Sequence, residues 1–223
     1  MNQEQALSLL KETKLVAILR GIPVKQATDI ATALYDGGVR ALEFTFDHDD
    51  PDCVAHNCQR IRAVKKIFGD EMVVGCGTAL TVQEVEASVE AGGQIVISPN
   101  VDVNVIAKTK ALGAISMPGA LTPTEIVTAY HAGADIVKLF PAGTLGVPYI
   151  KAVRGPLGYI PMSAVGGVRP ETIADFLDAG VCGFGVGGEL VKKEFVRSGD
   201  MNALTSRAQE FVRAIEQWEA GRS

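Results

Sequence analysis

A lysine and a glutamate stand in two segments that are otherwise apolar. Lys138 is the only charged residue of segment 136–140, IVKLF, and Glu43 is the only one of segment 41–46, ALEFTF. An amine that is shielded from water loses its proton more readily, and a neutral amine can attack a ketone to form an imine. A carboxylate beside that imine can carry protons to and from the neighbouring carbons. This pair predicts imine chemistry that makes or breaks a carbon–carbon bond.

Other polar side chains lie at the ends of similar segments. Arg20 closes LVAIL and Thr78 closes MVVGCG, while Thr45 shares the alternating face of Glu43. The opposite face of that segment carries bulky apolar side chains, so we expect Glu43 and Thr45 to point away from any covering helices. The planar guanidinium of Arg20 suits two-pronged binding of a substrate carboxylate.

The segments that must position these side chains recur along the chain. Eight short apolar runs, on average 24 residues apart, begin near Leu15, Ala41, Met72, Gln94, Gly113, Ile136, Tyr159 and Gly183. That spacing suits one strand, one helix and two short loops in each repeat. Eight such units predict an α/β fold, a single (β/α)8 TIM barrel with an N-terminal helix, spanning residues 1–223 as one domain. An open doubly wound sheet is the alternative, and it would need fewer or less regular units.

The stretches between the runs carry helix signals. Segment 24–36 places its apolar residues on one stripe and ends at Gly37-Gly38, a typical helix C-terminus. Thr81 and Thr122 are the cap residues predicted for two later helices. Because the functional residues of barrel enzymes lie at the C-terminal ends of strands, Arg20, Glu43, Thr78 and Lys138 are expected to meet there.

Composition excludes several classes of protein. The 223 residues carry 21 basic and 26 acidic side chains, a net charge of -5, which disfavours a nonspecific nucleic-acid binder. The N-terminal segment has no apolar core typical of a signal peptide, and no run approaches the roughly 20 apolar residues of a membrane span. We therefore expect a cytoplasmic protein without membrane partners, whose four cysteines are reduced thiols.

Two glycine pairs follow the last two predicted strands. Gly166 and Gly167 follow the seventh, and Gly187 and Gly188 follow the eighth. Barrels often bind phosphate there through backbone N–H groups and a short helix, for which segment 189–193 is the candidate. Tight turns are the structural alternative. Gly183, Gly185 and Gly188 also fit a dinucleotide-binding pattern, but too few residues follow to complete such a fold.

Structural interpretations remain open for the charged residues. Lys138 and Glu43 could form a buried ion pair that fills the barrel without chemistry. The cluster Asp47-His48-Asp49-Asp50 could bind a divalent metal, although a solvated loop whose acids cap the next helix is favoured.

Seven motifs, in order from about Leu15 to Val191, resemble those of the class I aldolases of the 2-keto-3-deoxy-6-phosphogluconate / 4-hydroxy-2-oxoglutarate aldolase family. They are Val16–Gly21 (VAILRG), Leu42–Thr45 (LEFT), Gly75–Thr78 (GCGT), Ile97–Asn100 (ISPN), Pro118–Glu125 (PGALTPTE), Val137–Ala142 (VKLFPA) and Val165–Val168 (VGGV). The resemblance implies a compact barrel, usually a homotrimer, that splits a 2-keto-4-hydroxy acid into pyruvate and an aldehyde without a metal or organic cofactor.

The resemblance also implies roles for individual residues. Lys138 corresponds to the Schiff-base lysine and Glu43 to the general acid and base. The resemblance also implies substrate contacts for a wider set: Arg20 and Thr78 at the pyruvate carboxylate, Pro99 and Pro118 in the pocket lining, and Gly166, Gly167, Gly187 and Gly188 at a phosphate. Thr45 is added to the substrate-binding residues because it shares a strand face with Glu43.

The chain departs from the family pattern at the aldehyde end. Asp47 stands where gluconate-type members carry an arginine, Gly188 replaces a frequent serine, and Glu189 follows it. The Asp47 carboxylate predicts a preference for an uncharged or hydroxyl-rich aldehyde over a phosphorylated one. A phosphosugar isomerase or epimerase without imine chemistry and a non-catalytic barrel that binds keto acids are the alternative functions.

Overall fold

The structure, a computed structural model, describes residues 1–222 and is a parallel β-barrel surrounded by helices. Its strands are β1 Leu15–Leu19, β2 Ala41–Thr45, β3 Val73–Gly77, β4 Ile95–Ile97, β5 Ile115–Met117, β6 Gly119–Ala120, β7 Val137–Leu139, β8 Met162–Val165 and β9 Gly183–Val186. Its helices are α1 Gln3–Thr13, α2 Ala27–Asp36, α3 Cys53–Phe68, α4 Val82–Glu90, α5 Val103–Ala111, α6 Pro123–His131, α7 Ala142–Leu157, α8 Ile173–Asp178, α9 Lys193–Ser198 and α10 Met201–Ala220.

The fifth strand of the barrel is divided at Pro118. Its first part, β5, pairs with β4, and its second part, β6, pairs with β7, so the two parts together bring the ring of strands to near closure. A proline has no N–H to donate to a ladder, which explains the break. Its carbonyl still accepts a hydrogen bond from the Lys138 N–H at 2.9 Å, so β7 stays anchored to this strand. The expected barrel with its N-terminal helix is confirmed.

Two apolar clusters hold the barrel together. The larger one lies between strands and helices and includes Leu42, Phe44 and Phe46. The smaller one fills the N-terminal end of the barrel, where Ala6 and Leu10 of α1 pack on strand residues that point inward. Side chains alternate along a strand, so Glu43 lies on the inner face, as predicted. The N-terminal end of the barrel is therefore largely packed and keeps only a small void of about 20 Å³ beside Leu10 among the described residues.

Some boundaries differ from the expectations. Segment 24–36 begins as a 3-10 turn at residues 24–26 before α2, and the strand expected near Tyr159 begins at Met162. Residues 189–192 form a turn closed by hydrogen bonds from the N–H groups of Leu190 and Val191 to the Gly187 carbonyl, and the following short helix begins only at Lys193. The prediction of a short helix directly after Gly188 was therefore wrong.

The signals for helix ends were more reliable. Thr81 and Thr122 are N-caps whose hydroxyls accept backbone hydrogen bonds, each within a capping box. Gly38 has φ of 93°, a conformation that favours glycine. Within residues 1–222, no helix is both long enough and apolar enough to cross a membrane.

Candidate active site

A cavity of about 300 Å³ opens at the C-terminal ends of the strands. Its wall brings together residues of seven strands and their following loops: Ile18, Arg20, Glu43, Thr78, Pro99, Lys138, Phe140, Val165, Gly166, Gly167, Val168, Gly185, Val186, Gly187, Gly188 and Glu189. Most of the side chains assigned from sequence are among them. Parallel strands meet at this rim with the same polarity, which is why residues distant in sequence share one cavity.

Lys138 enters the cavity from the middle of β7, where it lies between Gly119 of β6 and Ser163 of β8 in the strand register. Only 8% of its surface is exposed. Burial lowers the pKa of its amine, the Arg20 charge lowers it further, and the Glu43 carboxylate acts in the opposite direction. Its Nζ atom lies 5.1 Å from the centre of the Phe140 ring. The amine is thus accessible from the cavity yet biased towards its neutral, nucleophilic form.

Glu43 faces the same cavity from β2 and is 1% exposed. Burial raises the pKa of its carboxyl from 4.5 to about 7, although Lys138 and Arg20 both lower it. Its Oε2 atom has no hydrogen-bond partner among the described residues. A carboxyl with a pKa near neutrality can both accept and donate a proton under ordinary conditions.

Lys138 and Glu43 share the cavity without forming a close ion pair. Across residues 1–222, no carboxylate oxygen lies within 4.0 Å of Lys138 Nζ. A structural ion pair of the kind considered from the sequence would require contact at about hydrogen-bond distance. The geometry therefore favours a Lys138 amine and a Glu43 carboxylate that are separated by space for a ligand over a structural ion pair.

Three further predicted residues line the rim around this pair. Arg20 follows β1 and is exposed, and Pro99 follows β4 and is half-buried. Thr78 follows β3 and has φ of 58°, a left-handed conformation that is uncommon for a residue with a branched side chain. Strained backbone of this kind is often found at functional sites. The three residues surround the cavity mouth with one cation and one hydroxyl.

Both glycine pairs follow β8 and β9, which lie across the barrel from β3 and β4, and β9 pairs directly with β1, the strand that Arg20 follows. Gly166 and Gly167 have φ of 91° and 73°, so side chains would be strained there. The Gly166 carbonyl accepts a hydrogen bond of 2.7 Å from the Gly143 N–H of α7, which holds the loop close to that helix. Gly187 and Gly188 complete the wall. A Cβ atom at Gly188 would meet no atom within 4 Å, and one at Gly187 would touch Ile18 at 3.7 Å. The open space beside Gly188 lets an anion approach the backbone closely.

Two residues assigned to the substrate lie outside the wall. Thr45 is buried, and its hydroxyl lies 3.5 Å from the Leu19 carbonyl. Pro118 is buried, and its carbonyl accepts the hydrogen bond from the Lys138 backbone N–H. The structure thus brings Arg20, Glu43, Thr78, Pro99, Lys138 and the four glycines together, and it leaves Thr45 and Pro118 out of the wall.

The wall also contains apolar residues that the sequence reasoning missed. Ile18 and Phe140 are each two positions from a predicted site residue, and Val165 and Gly185 lie on inward faces of β8 and β9. Because side chains alternate along a strand, the position two residues from Arg20 or Lys138 shares its direction. That periodicity was the signal available for Ile18 and Phe140.

The histidine in the acidic loop after β2 and the histidine of α3 each pair with a carboxylate. His48 Nε2 lies 2.7 Å from Glu84, and His56 Nδ1 lies 2.7 Å from Asp50. No group of three or more metal-ligating side chains occurs in the part of the chain that the structure describes. Asp52 occupies the N-cap of α3 without a side-chain cap bond, so the expected capping by this loop is not seen.

The two departures at the aldehyde end have different surroundings. Asp47 is exposed and does not line the cavity. Glu189 does line it, and its carboxylate lies 3.8 Å from the Arg207 guanidinium of α10, which also donates to the Glu189 carbonyl at 2.8 Å. Arg207 therefore offsets part of the negative charge at this end of the cavity.

Comparison with known proteins gives consistent results. The family model "Aldolase: KDPG and KHG aldolase" matches residues 7–207. The 2-dehydro-3-deoxy-6-phosphogalactonate aldolase of Escherichia coli (strain K12) is 36% identical over 205 residues, which cover 91% of this chain and 95% of that protein. A solved structure described as native KDPGal superimposes with a TM-score of 0.83 at 34% identity, over 92% of this chain and 96% of that one.

A more distant structure shares the fold. The KDPG aldolase from Legionella pneumophila, with pyruvate captured at low pH as a covalent carbinolamine intermediate, superimposes with a TM-score of 0.81 at 21% identity. The match covers 92% of this chain and 96% of that chain.

Proposed function

Since the chain belongs to the KDPG and KHG aldolase family, we propose that Lys138 is its imine-forming lysine and Glu43 its acid–base group. The enzyme is a class I aldolase, a carbon–carbon lyase. The observation that carries the assignment of residues is the pairing of a buried amine and a buried carboxyl in one cavity, with no ion pair between them. Family membership alone does not identify which side chains act.

The proposed reaction begins when the neutral Lys138 amine adds to the C2 carbonyl of the substrate. The Glu43 carboxyl donates a proton to the carbinolamine hydroxyl, which leaves as water and gives a protonated imine and an ionised Glu43. The protonated imine accepts the electron pair of the C3–C4 bond as that bond breaks. The ionised Glu43 carboxylate takes the proton of the C4 hydroxyl, so the C4 fragment leaves as an aldehyde. Glu43 then returns the proton to C3, and hydrolysis of the imine releases pyruvate and restores the amine.

We place the two ends of the substrate at opposite sides of the cavity. Arg20 and Thr78 would hold the pyruvate carboxylate, with Pro99 against the carbon chain. Gly166, Gly167, Gly187 and Gly188 would receive the distal phosphate through their backbone N–H groups. The substrate class is a 2-keto-3-deoxy-6-phospho sugar acid, with 4-hydroxy-2-oxoglutarate as the smaller alternative.

Several broader properties complete the proposal. We expect one barrel domain over residues 1–223, assembled as a homotrimer in the cytoplasm, with pyruvate and an aldehyde as its small-molecule partners. The carbinolamine captured with pyruvate in the Legionella pneumophila aldolase is the kind of intermediate that this reaction requires. Light scattering coupled to gel filtration would measure the assembly directly.

The assignment is tested by trapping the imine. Incubation with pyruvate and sodium borohydride should reduce the imine to a stable secondary amine, and peptide mass spectrometry should locate the added mass on Lys138. Lys138→Ala should lose both the adduct and at least about 10³-fold in kcat for pyruvate release, because the covalent route is closed.

A matched control removes a different lysine. Lys151 is an exposed lysine of α7 outside the cavity, and Lys151→Ala should keep adduct and activity. Adduct formation on another residue, or full turnover by a folded Lys138→Ala protein, would contradict the assignment. Pyruvate release without any borohydride-sensitive intermediate would contradict the imine route.

A further inference from the structure

A second groove, of about 520 Å³, adjoins the active site on the far side of Arg20. It lies between the loop that follows β1 and the region from the β9 loop to α9. Four cationic side chains line it, namely Arg20, Lys25, Lys193 and Arg197, and its lining contains no aspartate or glutamate. The chain as a whole carries a net charge of -5, so this local concentration of positive charge runs against the overall balance.

The four cations are not neutralised within the described chain. For residues 1–222, no carboxylate oxygen lies within 4.0 Å of any of these four side chains. Lys193 and Arg197 are four residues apart on α9 and so occupy the same helix face, where like charges repel. Buried Ile22 and Val191 form an apolar part of the lining, which limits solvation of an ion held there. An uncompensated cationic groove with such a lining suits an anion.

We propose that this groove binds a small, multiply charged oxyanion of the phosphate class and that its occupancy is coupled to the active site through Arg20. Guanidinium groups bind phosphate oxygens in a two-pronged geometry, and lysine amines add point charges. The two lysines and Arg197 hold the anion, and Arg20 contacts it from the boundary.

The coupling follows from the position of Arg20, which lines both cavities. An anion that draws this guanidinium into the groove competes with the substrate carboxylate for the same side chain. Binding in the groove therefore weakens binding of the keto acid, and by linkage the keto acid weakens binding of the anion to the same extent. This coupling depends on the role proposed for Arg20, whereas anion binding itself does not.

Calorimetric titration with inorganic phosphate tests the binding. The variant Lys193→Ala/Arg197→Ala should bind phosphate about tenfold more weakly than the wild type, because two charge-assisted contacts are lost. The control Arg62→Ala/Lys66→Ala removes the same two charges from exposed positions of α3 and should bind as the wild type does. Lys25→Ala, on the opposite wall, serves as a second variant should α9 lose its structure.

Inhibition assays test the coupling. Cleavage of 4-hydroxy-2-oxoglutarate, which has no phosphate, should be inhibited by inorganic phosphate in the wild type and the α3 control, and about tenfold less sensitively in the α9 variant. Equal phosphate affinity in all three proteins, or no phosphate binding by the wild type, would contradict the proposed anion site in the groove. A Lys138→Ala protein should still bind phosphate, because Lys138 does not line the groove. Phosphate binding by this variant would show that the anion site does not depend on the proposed imine chemistry.

Discussion

At the scale of single residues, burial of Lys138 and Glu43 pushes both side chains towards their neutral forms. The pKa of the Glu43 carboxyl is raised to about 7 and that of the Lys138 amine is lowered, mainly because each is removed from water. A neutral amine is what addition to a ketone requires, and a carboxyl near neutrality exchanges protons readily. The same burial that makes the pair reactive must reduce the stability of the fold, because charged forms are poorly solvated there.

Glu43→Gln separates these two consequences. It should lower kcat by about 10² to 10⁴-fold, since it removes the proton-transfer group but keeps its size. The folded carboxyl has a higher pKa than the unfolded one, near 4.5, so the folded state of the wild type loses stability as pH rises from 4.5 to about 7. Relative to the wild type, the variant should therefore become more stable across this range, by up to about 3 kcal/mol at pH 8.

Thermal or urea unfolding of both proteins at pH 5, 7 and 8 measures this difference, and pyruvate release measures the activity. A stability difference that stays constant from pH 5 to pH 8 would contradict the raised pKa. Wild-type activity of the variant would contradict the catalytic role.

At the scale of the elements, β2 and β3 must lie close enough for Glu43 to pack across the neighbouring strand. A Cβ atom added at Gly77 would lie 1.9 Å from Glu43 Oε2, so no side chain fits at the end of β3. Gly77 lies opposite Thr45 in the strand register, and its carbonyl accepts a hydrogen bond from the Phe46 N–H at 2.8 Å. The glycine thus holds β3 against β2 while leaving room for the carboxylate between them.

Gly77→Ala should displace the Glu43 carboxylate and damage both function and stability. We expect at least a tenfold loss of kcat/KM and a destabilisation of about 1 to 3 kcal/mol from overpacking. Gly155→Ala is the matched control, because a Cβ at Gly155 in α7 meets no atom within 4 Å. That change should keep activity and leave stability equal or slightly raised, as alanine favours a helix.

Kinetics and denaturant unfolding of the two glycine variants give the answer. The packing argument fails if Gly77→Ala has the activity of the wild type, or if the two variants are equally impaired.

At the scale of the whole molecule, the two ends of the barrel have different tasks. The N-terminal end is closed by α1, whose Ala6 and Leu10 pack on inward residues of the strands, and α1 is itself stabilised by a capping box between Asn2 and Gln5. The C-terminal end holds the cavity and the loops that line it. Mutations in the two ends should therefore affect different measurements.

Leu10→Ala tests this division. Leu10 is 4% exposed, so its truncation should cost about 2 to 5 kcal/mol of stability while KM and kcat at a permissive temperature stay near the wild-type values. Leu112, at the end of α5, is 42% exposed, and Leu112→Ala should cost less than about 0.5 kcal/mol. A change in KM as large as that of a cavity mutation, or equal stability of the two leucine variants, would contradict the division.

The sequence alone predicted the architecture and identified Lys138 and Glu43 as the candidate reactive pair. Regular spacing of apolar runs predicted the barrel because strand and helix periodicities are local properties of the chain. A charge inside an apolar strand identified Lys138 and Glu43, because burial of an unneeded charge is costly. Strand ends, side-chain alternation and paired glycines indicated most of the remaining site residues, and the family motifs added Pro99 and Pro118 and implied the roles. Most of these residues line the cavity.

Only the tertiary structure decided which residues meet. It left Thr45 and Pro118 out of the cavity wall and added Ile18 and Phe140 to it. It paired Glu189 with Arg207 of α10. It also brought Lys193 and Arg197 to the groove beside Arg20. These outcomes depend on strand stagger, on the path of each loop and on contacts between segments far apart in sequence. The sequence predicts to which face of a strand a side chain points, because that alternation is local. The distance between two segments depends on how the whole chain packs.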